Sequence, residues 1–419
     1  MFKNDELNQL AFPLMLSNVL SLVIGLCDQA MIGHLSISSF AAVGIVASFI
    51  NSITGVLGAI SISFNILAAR AYRKSLLFKA YIQSQVVLSF IIGVISYVAI
   101  GFSKEFIFHE LYQLKGQVLI DALSYAKIFS LSIGLNLLLF TVSTYLKITN
   151  QTKYILVGNV VAAISNVILD FIFIYGLNFG MIGNAVGSIL ALCFNLIIYL
   201  FFLRSKWCWW PVIIKLRLMK KCMFHSFSFM VQEFLESTIL VLVLNILIAR
   251  IGLLEVSVFN LVNLLLEISW MPMYAYSQAI LTIVSKNPKR LNSIRKEAVI
   301  RSLKLYGLIA SLLILNRGVI LHLLTNQRML MNECRLLLPY VFLLYIFRQP
   351  LMMNQTCLQI LGEQRWILKT TVICYLVGYF IVFLFIQWNP SLWIIYIGIG
   401  MIYFSLTYFM KFKLKIKEL

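Results

Sequence analysis

Residues 166–180 read NVILDFIFIYGLNFG, and Asp170 stands in that run with no basic residue near it. A carboxylate among Val, Ile, Leu and Phe is unfavourable, and how unfavourable depends on the solvent around the run. Composition decides that solvent. The chain of 419 residues is 61% hydrophobic and 12% charged, with a mean hydropathy of +0.93, whereas soluble domains carry about 25% charged residues. Apolar runs long enough to cross a bilayer, roughly 17–25 residues, recur throughout. Twelve are expected, near 11–34, 40–69, 80–102, 122–146, 154–176, 181–203, 223–249, 255–284, 299–320, 333–361, 366–387 and 391–410. The runs are continuous, not alternating over about ten residues as a transmembrane β-barrel requires. The sequence therefore predicts an all-α polytopic membrane protein.

The first run follows MFKNDELNQL without a small-residue cleavage site, so it is read as a retained helix and not a signal peptide. The seven cysteines (27, 193, 208, 222, 334, 357 and 374) are scattered, with no CxxC or Cys/His cluster, and read as small apolar packing residues. A net charge of +19 would suggest nucleic acid in a soluble protein, but its placement argues otherwise. Of the 34 Lys and Arg residues, 26 fall at the N-terminus and at or beside every second hinge; Arg348 alone falls at the middle of a run. By the positive-inside rule both termini are cytoplasmic, which requires an even number of spans. The basic charge is thus a topology signal, with membrane lipids as partners and no nucleic acid.

The longest basic hinge, RSKWCWWPVIIKLRLMKK (204–221), divides six runs from six. This gives an N-terminal six-helix lobe at 1–203, a cytoplasmic basic linker at 204–222 and a C-terminal six-helix lobe at 223–419, the plan of transporters built from repeats. YLKITNQTKYIL (145–156) aligns with CLQILGEQRWIL (357–368), and MIGHLSISSF (31–40) with LIARIGLLEV (247–256). The first overlay sets Asp170 opposite Val382 and Asn166 opposite Gly378; the second sets Asp28 opposite Leu244.

Five acids fall inside the runs: Asp28, Asp170, Glu233, Glu236 and Glu267. A charge at the bilayer centre costs about 2.5–3.5 kcal/mol on insertion scales, so such groups face a bundle interior or a wet cavity. Asn159, Asn166 and Asp170 lie at i, i+7 and i+11, one polar stripe on an apolar helix. An Asn–Asp pair can simply glue helices together. A site that hydrates and dries in turn would instead take up and lose a proton, and that function would explain why Asp170 is kept. Glu267, Trp270, Tyr274 and Gln278 also share a helix face. A carboxylate beside aromatic rings suits an organic cation, at about 0.5–2 kcal/mol per ring, although such stripes are also ordinary packing. Glu233 is placed near the cytoplasmic end of its span, able to snorkel. Arg348 is read as the neutralising partner of Glu236 or Glu267, or as a receiver of an anionic group.

LAFPLMLSNVLSLVIGLCDQAMIGHLSISSFAAVGI (10–45) resembles the first helix and hinge of the multidrug and toxic compound extrusion (MATE) transporters. It shares an early Pro, a late Asp, a small-residue turn and an Ala-Ala-Val-Gly entry to the next helix. NVILDFIFIYGLNFGMIGNAVGS (166–188) resembles the family's fifth-to-sixth helix junction. The resemblance implies a two-lobed, twelve-helix antiporter, not an enzyme, that exports cationic or amphipathic small molecules in exchange for H⁺ or Na⁺. By matching motifs, Pro13 would be the hinge, and Asp28, Asn166 and Asp170 the cation-coupling site, with Na⁺ as a possible ligand of the same three. Glu236, in EFLEST, matches an acid of the C-half, where Glu267, Trp270 and Tyr274 complete the expected substrate site. Two stretches depart from the pattern. NILAARAYRKS (65–75) replaces the polar Gln and Gly that usually close the second helix. Arg348 stands where sodium-coupled members commonly carry an acid, which favours protons over sodium. No cofactor is expected, and the setting implied is a monomer in a prokaryotic inner (plasma) membrane. A lipid-linked oligosaccharide flippase of the same superfamily would be expected to line its cavity with more Arg. A membrane-embedded transferase would need an Asp-rich or His-rich metal motif, and a channel a repeated filter sequence.

The charge pattern makes a direct prediction about topology. In a cysteine-free background, Lys115→Cys is labelled by an impermeant thiol reagent on intact cells, and Arg73→Cys only after the membrane is permeabilised. Labelling of Arg73→Cys from outside would reverse the orientation.

Overall fold

In a membrane a helix satisfies all its backbone hydrogen bonds within its own segment, so long apolar runs have little choice but to be helical. A computed structural model describes residues 6–203, 213–325 and 327–418, the side chains of Leu26, Ile37, Leu253 and Glu418 excepted. Lys3, Arg204, Lys206 and Cys208, used in the sequence reading, lie outside the described residues. Among the described residues twelve helices are long and apolar enough to cross a membrane. They are α1 (Glu6–Gly33), α2 (Ser38–Ala71), α3 (Ser75–Leu111), α4 (Gly116–Ile148), α5 (Thr152–Gly176) and α6 (Gly180–Leu203). The second six are α7 (Leu216–Ala249), α8 (Leu254–Lys286), α9 (Pro288–Leu315), α10 (Arg328–Leu361), α11 (Gln364–Trp388) and α12 (Leu392–Lys417). There is no strand among the described residues. The protein is an all-α integral membrane protein.

Several helices outrun the apolar runs that announced them. The run near 80–102 becomes α3, 37 residues long, because a helix once formed continues until its backbone finds other partners. A further short helix, Arg317–Leu324, follows α9. At 8 residues it is too short to announce itself as a run. Asp121, expected in a hinge, is instead buried early in α4, where its carboxylate accepts from Gln117 Nε2 at 2.7 Å and Ser39 Oγ at 3.3 Å.

The chain folds as two compact units: Phe12–Phe234, and Met1–Ala11 together with Leu235–Leu419. The division therefore runs through α1 and α7, and both helices are irregular there. Pro13 sits inside α1, where a ring removes one backbone hydrogen bond. Leu235–Ile239 of α7 is a π-helical turn, a form that recurs at functional sites. In the first unit, the entry to α7 is clamped by buried polar side chains of α3: Ile213 N–H donates to Gln83 Oε1 at 2.5 Å and Lys215 N–H to Ser84 Oγ at 3.0 Å. In the second, the first turns of α1 are held by α8 and the turn after it. Tyr276 O–H donates to Asn8 Oδ1 at 2.8 Å, and Arg290 pairs with Glu6 at 2.8 Å. Glu363, between α10 and α11, receives Lys417 at 2.5 Å and Lys413 at 3.5 Å, tying down the end of α12. The Lys417 hydrogen bond holds the Glu363 carboxyl below its usual range.

Close helix contact in the first unit is set at one point by paired glycines. A Cβ added to Gly93 of α3 would lie 2.5 Å from Gly134 Cα of α4, so backbone meets backbone and neither can yield. Gly93→Ala is expected to lower stability by about 1–3 kcal/mol, as overpacking does, read as a lower melting temperature in detergent. Gly101→Ala on the same helix meets open space and should melt like the wild type.

Candidate functional site

The π-helical turn Ile172–Gly176 closes α5 directly after Asp170, and Tyr175 O–H from that turn donates to Met31 O at the end of α1 at 2.8 Å. This contact brings the late residues of α1 against α5. Asp170 is fully buried and accepts from Asn184 Nδ2 of α6 at 2.7 Å and from Asn166 Nδ2 at 3.4 Å. Asn166 also donates to Ser188 Oγ at 3.4 Å. Tyr125 of α4, 2% exposed, donates to Asn184 Oδ1 at 3.1 Å, which leaves the Asn184 amide nitrogen turned to Asp170. Asp28 of α1 lies near enough to Asp170 for the two carboxyl groups to interact. The structure thus places Asp28, Asn166 and Asp170 in one region. Asp28, Gln29, Asn51, Asn136, Asn166 and Asn184 line a cavity of about 460 Å³ beside the pair.

The chemistry of this cluster follows from its charges. Two carboxylates 4 Å apart repel by about 4 kcal/mol at an effective dielectric of 20, in addition to their desolvation. A hydrogen bond to a charged group returns about 1.5–3 kcal/mol, too little to hold both carboxylates bare. Three buried oxygens, Asp28 Oδ1, Asp170 Oδ1 and Asn166 Oδ1, have no hydrogen-bond donor. Such a cluster can bind a cation and release it when hydrated. A shared proton would relieve the repulsion of the two carboxylates, and oxygens without donors are the ligand type that hard cations such as sodium take.

The polar stripe of α5 continues beyond the carboxylates. Asn159 Oδ1 accepts from Asn195 Nδ2 at 2.9 Å and from Tyr199 O–H at 3.0 Å, so α5 and α6 meet along one polar seam. The seam is tight at Asp170 because Gly187 of α6 packs against it; a Cβ there would collide with Asp170 Oδ1. The C-terminal half has the same close approach without the charge. Val382, the residue the repeat sets opposite Asp170, packs on Gly398 just as Asp170 packs on Gly187. Anchored on Gly398 opposite Gly187, one residue short of the first overlay, Asn184 corresponds to Ile395, Asn195 to Leu406 and Tyr199 to Met410, all buried. At these positions α11 closes on α12 with apolar side chains, with buried Thr371 opposite Asn159 as the polar exception, so packing does not require the full polar seam.

The C-half candidates gather around Arg348 of α10. Its guanidinium lies 3.8 Å from the Trp270 ring centre and donates to Tyr403 O–H. Glu236, Tyr274 and Glu267 all lie within its electrostatic range. Trp270 is buried and stacked on Tyr345 at 6.2 Å, so its ring already carries a cation of the protein's own. Glu267 is exposed and Tyr274 half-buried, which separates them from Trp270 despite the shared helical spacing. Glu233 and Glu236 fall in different units. Glu233 is turned toward Gly55 of α2 instead of snorkelling to a helix end. Among the described residues no cluster of three or more His, Cys, Asp or Glu could hold a metal ion.

Sequence reasoning missed Asn184, Ser188 and Tyr125. The first two, with Asn195 and Tyr199, stand at i, i+4, i+11 and i+15 in α6, the complement of the stripe read on α5. Matching the two stripes would have found them; Tyr125 carries no such signal.

Comparison with known proteins places this geometry. The MatE family's sequence profile matches residues 13–172 and 229–384. The multidrug export protein MepA of Staphylococcus saprophyticus is 24% identical over 285 residues, or 66% of this chain. The match spans 62% of that protein, less than two thirds of its length. An outward-facing multidrug resistance MATE family transporter of the MOP superfamily shares the fold with a TM-score of 0.87 at 18% identity, over 99% of this chain and 96% of that one. A MOP superfamily transporter from Pyrococcus furiosus, described as having a binding pocket of reversed polarity, superposes at a TM-score of 0.86, also at 18% identity and with the same coverage. The chain belongs to the MatE family of transporters.

Proposed function

We propose that the chain is a secondary active antiporter of a prokaryotic plasma membrane, with both termini cytoplasmic. It exports cationic or amphipathic small molecules in exchange for H⁺. The observation that carries this reading is the contact of Asp28 with Asp170 in a buried, Asn-rich cluster. A bound proton makes the pair stable in a dry bundle; losing it drives the cluster to hydrate or rearrange. Pro13, about 22 Å along α1 from Asp28 at 1.5 Å per residue, gives that helix a place to bend. Two lobes exposing their sites to opposite sides of the membrane in turn would complete the cycle. Sodium is the second reading, favoured by the three donorless oxygens of Asp28, Asn166 and Asp170, which one proton would not satisfy together. In the C-half, Glu236 and Glu267 attract the cationic substrate beside Tyr274, while Arg348 on Trp270 sets the local charge.

Uptake into inverted vesicles, with H⁺ and Na⁺ gradients imposed separately, tests the coupling. A proton gradient alone should drive accumulation, and Asp170→Asn should abolish it while leaving expression intact. Coupled transport at the wild-type rate in Asp170→Asn would remove the carboxylate from the mechanism. Asn184→Ala should weaken coupled transport and cost about 1.5–3 kcal/mol of stability, the value of a hydrogen bond to a charged group. Glu267→Gln should weaken binding of a cationic substrate by up to about fivefold, since an exposed charge contributes at most about 1 kcal/mol, and should spare a neutral substrate. Equal loss for both substrates would move Glu267 into the coupling machinery.

A further inference from the structure

The first turns of α7 form one wall of an apolar groove of about 650 Å³, with Leu88 and Ile91 of α3 on the other. Leu216, Met219, Met223 and Phe227 line it along α7 at helical spacing, with Lys220 on the lip. From Leu216 to Phe227 the groove runs about 16 Å at 1.5 Å per residue, close to half of a hydrocarbon core about 30 Å thick. That is the depth of one leaflet. The wall is fixed at its outer end, since Gln83 and Ser84 hold the backbone of Ile213 and Lys215.

The charges are placed at one end only. Residues 213–227, IIKLRLMKKCMFHSF, carry Lys215, Arg217, Lys220 and Lys221 and no acid. All four are exposed. Arg217 and Lys220 are i, i+3 neighbours on the helix surface. Deeper along the groove the exposed side chains are apolar, with Phe224 80% and Phe227 67% exposed. A basic rim above a leaflet-deep apolar slot is complementary to one kind of molecule, an anion carrying acyl chains.

We propose that this groove is a binding site for an anionic phospholipid of the cytoplasmic leaflet, its phosphate on Lys220 and Arg217 and an acyl chain along Ile91, Met219 and Met223. The bound lipid lies between α3 and the start of α7. The long lysine stem suits this role, because it covers apolar surface while its ammonium reaches the headgroup level.

The test uses the full chain in detergent, with retained lipid measured by native mass spectrometry against added dioleoyl phosphatidylglycerol or dioleoyl phosphatidylcholine. The wild type should retain the phosphatidylglycerol preferentially. Arg217→Gln with Lys220→Gln should weaken it by about 25-fold, at roughly fivefold for each basic residue near an anionic surface, and leave phosphatidylcholine unchanged. Ile91→Trp, which fills the slot, should lower retention of both lipids; if that variant fails to fold, the charge variant decides alone. Equal retention of the two lipids by the wild type would overturn the proposal, as would undiminished phosphatidylglycerol in the charge variant. Ile91→Trp losing ethidium binding while keeping phosphatidylglycerol would give the groove to substrate instead.

Discussion

Two carboxylates pressed together inside an apolar bundle set the terms for everything around them. Asp28 and Asp170 come from α1 and α5, and among the described residues the hydrogen-bond donors to Asp170 are the amides of Asn166 and Asn184. Their mutual repulsion and desolvation exceed what the neighbouring amides return. In the antiport proposed above, a bound cation keeps the cluster dry and its departure would change which arrangement of helices is most stable. The surrounding residues serve this requirement. Tyr125 fixes the orientation of Asn184, Asn184 fixes Asp170, and the missing side chain at Gly187 lets α6 approach closely enough to enclose the carboxylate.

The second half of the chain acts as an internal control on that argument. Val382 packs on Gly398 in the place of Asp170 on Gly187, and Ile395, Leu406 and Met410 replace the polar partners. The same helix pair thus closes with fewer polar side chains, Thr371 alone standing for Asn159, which on stability alone is the less costly solution. The proposed cation site accounts for the polar seam between α5 and α6, which packing alone does not require. The C-half carries its own charges elsewhere, on α7, α8 and α10, around Arg348 and its aromatic neighbours. Halves that share a scaffold and differ in charge are suited to different ligands.

The fold was legible in the sequence because the bilayer leaves few options for an apolar run of twenty residues. Asp28 and Asp170 were legible for a related reason, since a charge in such a run is expensive, and Asn166 by its place one turn before Asp170 on the same face. Asn184, Ser188 and Tyr125 were not. Uncharged polar residues carry a smaller penalty in a helix, and their partners are set by tertiary contacts that no local spacing encodes. Trp270 was read as a surface for a foreign cation because the helix face it shares with Glu267 and Tyr274 was visible, whereas Arg348 is distant in sequence. The way the chain divides was also partly hidden. The linker hinge is conspicuous by its charge, yet the compact units part within α1 and α7, near Pro13 and at the π-helical turn Leu235–Ile239. Only backbone geometry reveals such a crossing.

The central claim is that one cation is exchanged at the Asp28–Asp170 pair when substrate binds. It is tested most directly by calorimetric titration of the purified protein with a cationic substrate in two buffers of different ionisation enthalpy, which counts the protons released. The account predicts release of a proton by the wild type and none by Asp170→Asn. Proton release that persists when both Asp28 and Asp170 are replaced by Asn would contradict it.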